Sequence, residues 1–270
     1  MTLRPVWRSL TRISARGWLA VLLIVVWEFA AHDASESYYP PPSKILSAMR
    51  DLWFSGPASH LFLSSKAFDD FVPSLSHLFT GWLLASVVGI VLGVALGRSR
   101  TASDYVDPLL QLGRAMPPPT LIPFFIIVFH LGATMQVATI VFGVVWPVLL
   151  NTIDGARSVD QLQLDTAEVF GITGWQRLWR VILPAAAPKI FAGLRVSLSF
   201  AVILMVVSEL IGGTTGIGAE LLSAQRTFAL PEMWAGIVLL GILGYLLNEA
   251  FLLVEGRLLA WHAGARRLET

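Results

Sequence analysis

Residues 71–97 read FVPSLSHLFTGWLLASVVGIVLGVALG, 27 consecutive residues without one Asp, Glu, Lys or Arg. As a helix this stretch rises about 40 Å, more than the roughly 30 Å of a bilayer's hydrocarbon core. Gly81, Ala85, Gly89, Gly93 and Gly97 put a small residue at every fourth position, hence on one helical face. Where lipid removes the hydrophobic driving force, such a face lets two backbones approach closely. The stretch is therefore read as a membrane span whose glycines, Gly81, Gly89, Gly93 and Gly97, pack against another helix.

The remaining sequence agrees with a bilayer as solvent. Of 270 residues, 55% are hydrophobic and 14% charged, and the mean hydropathy is +0.69, whereas a soluble domain carries about 25% charged residues. Such hydrophobicity excludes disorder, the absence of Cys excludes a disulfide scaffold, and a net charge of +1 gives no reason to expect nucleic acid as partner. Residues 18–31 form a further apolar run broken only by Glu28, read as a retained helix. From Ala115 to Ile153 there are 39 residues without a formal charge. That is too long for one crossing, so it is split at His130-Leu131-Gly132, with the first half starting near Leu109. Runs at 196–211 and 233–254, interrupted by Glu209 and Glu249, complete an all-α, six-transmembrane-helix bundle.

Basic residues are retained on the cytoplasmic side of short loops. With the N-terminus inside, 15 of the 19 Lys and Arg residues are internal, leaving only Lys44, Arg50, Lys66 and Arg226 outside. Both termini are thereby expected in the cytoplasm. The expected organisation is an amphipathic segment 1–16, a single permease domain 17–256 and a tail 257–270. Arg4, Arg8, Arg12 and Arg16 share one face of the first segment, opposite Leu3, Trp7 and Leu10, as in a helix lying at the lipid headgroups. Outside, Ser43 is read as the N-cap of a short amphipathic helix carrying Ile45, Leu46, Met49, Leu52 and Trp53.

Pro117, Pro118, Pro119 and Pro123 remove backbone donors inside the third span and prevent a straight helix there. Irregular backbone at membrane depth is tolerated only when buried in protein or lining a cavity, which makes these prolines candidates for a translocation path. Intramembrane carboxylates are functional candidates by default. Glu209, three residues before Gly212, is expected to reach external water beside such a path, and Glu249, near the inner end, to be solvated or paired on its helix. The glycines at 212, 213, 216 and 218 are read as a flexible external turn.

The inner connection from Asn151 to Lys189 is long and reads as two helices. In the first, Leu162, Thr166, Val169 and Phe170 share a face, Gln163, Asp165 and Glu168 cover the other, and Gly171 supplies a stop. The second has Thr173 as cap and Trp175, Leu178, Trp179 and Ile182 at helical spacing, ending at Leu183-Pro184. An apolar stripe displayed beside a membrane bundle calls for a partner's groove.

Asp165-Thr166-Ala167-Glu168-Val169-Phe170-Gly171, nine intervening residues, then Val181-Ile182-Leu183-Pro184 resembles the EAA loop of the membrane subunits of ABC importers. In that family the pattern is Glu-Ala-Ala, three residues, Gly, nine residues, Ile-x-Leu-Pro; Asp165 and Thr166 depart from its Glu-Ala. The stretches GRAMPPPTLIPFFIIVFHLG, WPVLLNTIDGARSVD and LPAAAPKIFAGLRVSLSFAVILMVVSEL are similar to permeases of aliphatic sulfonate, taurine and nitrate importers. The resemblance implies a type I importer permease in the bacterial inner membrane, paired as a homodimer, with a solute-binding protein outside and ABC ATP-binding subunits inside. It implies that Asp165, Thr166, Ala167, Glu168, Phe170, Gly171, Leu183 and Pro184 form the coupling helix and its flank, and that ATP and Mg are bound by the partner.

The chain itself has no Gly-x-x-x-x-Gly-Lys-Ser/Thr phosphate loop, so the energy source is a separate subunit. A membrane enzyme is disfavoured by scattered histidines without metal spacing and by the lack of a Gly-x-Ser-x-Gly elbow. The remaining alternative, an ion-coupled secondary transporter, requires midplane ion-coordinating groups or inverted repeats, and neither is evident. Cysteines introduced singly at positions 160 and 266 should be protected from an impermeant thiol reagent in intact cells, and one at position 60 should react; the reverse pattern would invert the topology.

Overall fold

The computed structural model describes residues 4–33 and 38–260, with side chains from residue 18 onward except that of Asp33. The arginine face of segment 1–16 and the tail beyond residue 260 lie outside the described side chains. In chain order the helices are α1 (Arg4–Asp33), α2 (Pro42–Trp53), α3 (Ser65–Arg98), α4 (Arg100–Ala115), α5 (Ile122–Phe129), α6 (Ala133–Arg157), α7 (Gln161–Val169), α8 (Gly174–Arg177), α9 (Leu183–Gly212), α10 (Ile217–Arg226) and α11 (Leu230–Leu258). No strand occurs among the described residues.

Helical runs at 58–98, 133–157, 174–212 and 230–258 are long and apolar enough to cross a membrane. The pair formed by α4 and residues 118–129 passes the same test only when taken together, with an angle of 86° between its halves. The apolar part of α1, Trp18–His32, falls short of that length. Four spans, or five with the bent pair, are thus consistent with a six-helix bundle in which α1 is the remaining helix. The third span is broken, as its prolines imply: after Met116 consecutive prolines leave the chain without amide donors and a 3₁₀ turn, Pro118–Leu121, takes over.

The chain divides into two compact units, residues 1–68 with 220–239, and 69–219 with 240–270. In the first, Trp27 meets Trp234 edge to face at 5.4 Å, and the Trp234 indole N–H donates to the Tyr38 carbonyl at 3.1 Å. Ser43 is not the N-cap of α2: Pro41 occupies that position. Instead, the Ser43 hydroxyl and backbone N–H both donate to the Glu28 carboxylate, at 2.6 and 2.9 Å. Helix α2 buries Ile45, Met49 and Trp53, one face at four-residue spacing, and leaves Leu46 exposed.

The second unit is organised around α6. An added Cβ on Gly81 would lie 2.6 Å from Ile140, on Gly89 2.9 Å from Val148, on Gly93 2.5 Å from Thr152 and on Gly97 2.7 Å from Ala156. Every contact is with α6, so the stripe read from the sequence packs α3 onto α6 along its length. Against α9 the small residues are shared: Gly143 and Gly155 of α6 lie against Leu204 and Ala186, and Gly193 of α9 lies against Asn151 and the Pro147 carbonyl. Helix α4 packs there as well, with the Trp146 ring lying on Gly113 and Leu110 buried with Leu149 and Ile153. The largest core joins Leu78 and Ala85, Ile140 and Val144, Leu198 to Met205, and Phe251. Across it the Trp82 indole donates to the Ser197 hydroxyl at 2.8 Å.

Leucine at position 89 or 93 would overlap α6 and should lower the unfolding temperature of the detergent-solubilised protein, at a cost of about 1 to 3 kcal/mol. Gly241→Leu, where a Cβ meets nothing within 4 Å, serves as the matched control and should change it little. Equal melting of all three variants would place the stripe against lipid.

Candidate coupling surface and translocation segment

Helix α7 is closed at both ends by its own sequence. Asp160, a cap absent from the sequence reading although Asp directly precedes the helix, accepts from the Leu162 N–H at 3.0 Å. At the other end Gly171 takes φ +71°. Its N–H donates to the Glu168 carbonyl and that of Ile172 to the Ala167 carbonyl, the paired bonds of a Schellman stop. Leu164 and Ala167 turn inward and are buried, Leu164 joining Ala156, Val159 and Ile182.

The buried face is therefore not the one carrying Leu162 and Phe170. Leu162, Val169 and Phe170 are 71, 86 and 76% exposed, with Asp165, Thr166 and Glu168 exposed beside them. Trp175 and Trp179, stacked edge to face at 5.6 Å, are exposed on the next turn. Glu168 lies 3.8 Å from Arg177 in a solvent-facing ion pair. Between α7 and the following helix lies a cavity of about 550 Å³, bordered by Thr166, Phe170, Arg180 and Pro184.

The second loop helix does not end at Leu183-Pro184. Residues 174–212 form one helical run in which Leu178–Ile182 is a π turn. A proline near the start of a new helical segment costs no bond already made, and the wider π turn removes its clash with the preceding turn. Thr173 occupies the cap position without a side-chain bond. Leu183 and Pro184 are half-buried within the run, so the loop continues rigidly into α9.

Of the prolines, Pro117, Pro119 and Pro123 are exposed and Pro118 is half-buried, its ring against Gly143. Glu209 does not reach water. It is fully buried, one carboxylate oxygen accepting from the Gly218 N–H at 2.8 Å and the other lying 4.0 Å from His77 Nδ1. Added Cβ atoms on Gly216 and Gly218 would fall 2.7 and 2.8 Å from the Glu209 side chain, and one on Gly213 2.6 Å from its backbone carbonyl. Gly216 and Gly218, read as part of a flexible turn, thus close on this side chain, and Ser74 accepts from the adjoining Ile217 N–H at 2.9 Å. Neither Ser74 nor His77 was singled out from the sequence; polar residues near the start of a long apolar helix were the available signal. Glu249 is exposed without an ion pair among the described residues, while Glu255 pairs with Arg195 at 3.8 Å.

The family of the binding-protein-dependent transport system inner membrane component matches residues 85–258. The chain is 33% identical over 247 residues to the taurine transport system permease protein of Escherichia coli strain K12, covering 91% of this chain and 88% of that one. Identity is 31% over 252 residues, with the same coverage, to a putative aliphatic sulfonates transport permease protein of Bacillus subtilis strain 168. It is 28% over 238 residues, covering 87 and 85%, to the nitrate import permease protein of a Synechocystis strain. In fold, the chain is similar to the MetNI methionine ABC transporter solved in inward facing conformations, with a TM-score of 0.61, 18% identity and coverage of 69 and 93%. The chain therefore belongs to the inner membrane component family of binding-protein-dependent transport systems: it is a multi-pass, non-catalytic permease subunit of an ATP-driven ABC importer, partnered by a separate ABC ATPase and a substrate-binding protein.

Proposed function

We propose that two copies of this chain form the pathway of an importer for a small anion, with both termini and the 151–189 loop in the cytoplasm. The observation that carries the coupling role is the apolar stripe Leu162, Val169 and Phe170, left exposed on a helix whose other face is buried. An apolar helix face outside the membrane is unfavourable until a groove covers it. Asp165, Thr166, Ala167, Glu168, Phe170, Gly171, Leu183 and Pro184 form this docking element and its flank. Movement imposed on α7 passes through Leu164 and Ile182 into the continuous run 174–212, and so to the far end of α9.

The homodimer reading rests on the bent third span. Exposed Pro117, Pro119 and Pro123 leave irregular backbone uncovered in a single chain, which the membrane tolerates only against protein or a water-filled path. A second copy and a path between the copies meet that need. Buried Glu209 holds the turn at the end of α9 and does not line the path in this conformation. Residues 17–256 act as one permease domain, with 1–16 at the membrane surface and 257–270 as tail. A sulfonate such as taurine is favoured as solute by the names of the two relatives at 31% identity or more.

Glu168→Lys reverses a charge at the proposed interface and should reduce solute-stimulated ATP hydrolysis in lipid vesicles roughly tenfold or more, with parallel loss of ATPase co-purification. Gly171→Val meets no neighbour but is strained at positive φ, so it should be at least as damaging. Both variants should still insert. Full retention of both properties in either variant would move coupling to another surface.

A further inference from the structure

The close approach of Gly97 to Ala156 places the residues that follow them, Arg98 and Arg157, at one point where α3 and α6 both end. Arg98 donates to the Ala156 carbonyl at 3.4 Å, and Arg157 bonds the Ser103 hydroxyl. With Arg100, at the first position of α4, they border a cavity of about 510 Å³ whose lining includes one acid, Asp104. Among the described residues none of the three guanidiniums is in an ion pair, so the charged groups lining the cavity, three Arg against one Asp, sum to +2. Like charges gathered by backbone packing repel one another; the negative C-terminal ends of α3 and α6 offset part of this charge, and the positive end of α4 adds to it.

We propose that this cavity binds a phosphate-type oxyanion, supplied by an anionic phospholipid headgroup. Guanidinium forks match the oxygens of such a group, and three of them can each donate twice. The level is right as well: two membrane spans end at the cavity, where headgroup phosphates lie, and basic pockets between span ends are where anionic lipids are held. A bound headgroup would join α3, α4 and α6 next to Gln161, the first residue of α7, and so stiffen the base of the docking element. The inference rests on the membrane reading of α3 and α6 and not on the identity of the solute.

The test uses the delipidated permease–ATPase complex in neutral detergent, titrated with short-chain phosphatidylglycerol, short-chain phosphatidylcholine or inorganic phosphate. Unfolding temperature and bound lipid by native mass spectrometry are read together. Phosphatidylglycerol should raise the unfolding temperature saturably and phosphatidylcholine should not. The Arg98→Gln/Arg157→Gln variant should weaken the response roughly thirtyfold, and Arg100→Gln alone, in case the double variant misfolds, about fivefold. Arg114→Gln, outside the cavity, should leave it unchanged. Inorganic phosphate acting as strongly as the lipid would keep the oxyanion site and reassign its source. No saturable response in the wild type, or an equal response in the variants, would overturn the proposal. So would loss of the ATPase subunit from the variants with the lipid response intact, which would make the arginines a protein contact. Solute-stimulated ATP hydrolysis by the wild type reports the importer function independently of this titration.

Discussion

Side chain against bare backbone, repeated four times along α3, is the contact on which the second compact unit depends. Gly81, Gly89, Gly93 and Gly97 let α6 approach so closely that even a methyl group would overlap. In lipid this closeness replaces the hydrophobic effect as the source of cohesion, because dispersion and buried polar bonds strengthen only at short range. With α3 seated, α6 offers its other sides to α4 through Trp146 and to α9 through Gly143 and Gly155. The gathering of Arg98 and Arg157 at the end of this seam is a direct geometric result of the same contact.

Helix α9 converts that rigid frame into a lever. Its helical run begins within the loop, at Gly174, and ends at Gly212, with a π turn in place of the break that Leu183-Pro184 suggests. At the near end it shares a small core with α7, and at the far end the Glu209 side chain is enclosed by Gly216 and Gly218 and bonded by the Gly218 N–H. A buried carboxylate is costly unless it is hydrogen-bonded, so the turn that supplies its donor is held to it. One helical run thus connects the loop that carries the exposed apolar stripe to a tightly specified turn, over about 58 Å at 1.5 Å of rise per residue.

How much could be read from the sequence follows from which forces are periodic. The glycine face of α3 and the Gly171 stop are encoded at fixed spacing, and the structure places each where the spacing puts it. The 86° bend after α4 was legible as a broken helix from Pro117 to Pro119, though not as an angle, because proline removes donors without dictating direction. The stripe Leu162, Val169 and Phe170 is likewise left open, as its spacing implies, although that spacing does not reveal that Leu164 fills the inner face beside Ile182. Two readings failed for tertiary reasons. Ser43 lies inside the helix that Pro41 caps and finds Glu28, fifteen residues earlier, instead. Glu209 looked solvent-bound because its burial is made by glycines that follow it and by His77, distant in sequence.

This chain conducts solute at the expense of ATP hydrolysed by its partner. The decisive measurement is uptake of radiolabelled taurine or another small sulfonate into vesicles containing the permease, its ABC ATPase and the solute-loaded binding protein. Uptake should require ATP on the ATPase side, stop with a hydrolysis-deficient ATPase, and be indifferent to an imposed sodium or proton gradient. Uptake by the permease alone, driven by an ion gradient without ATP, would contradict that dependence on ATP.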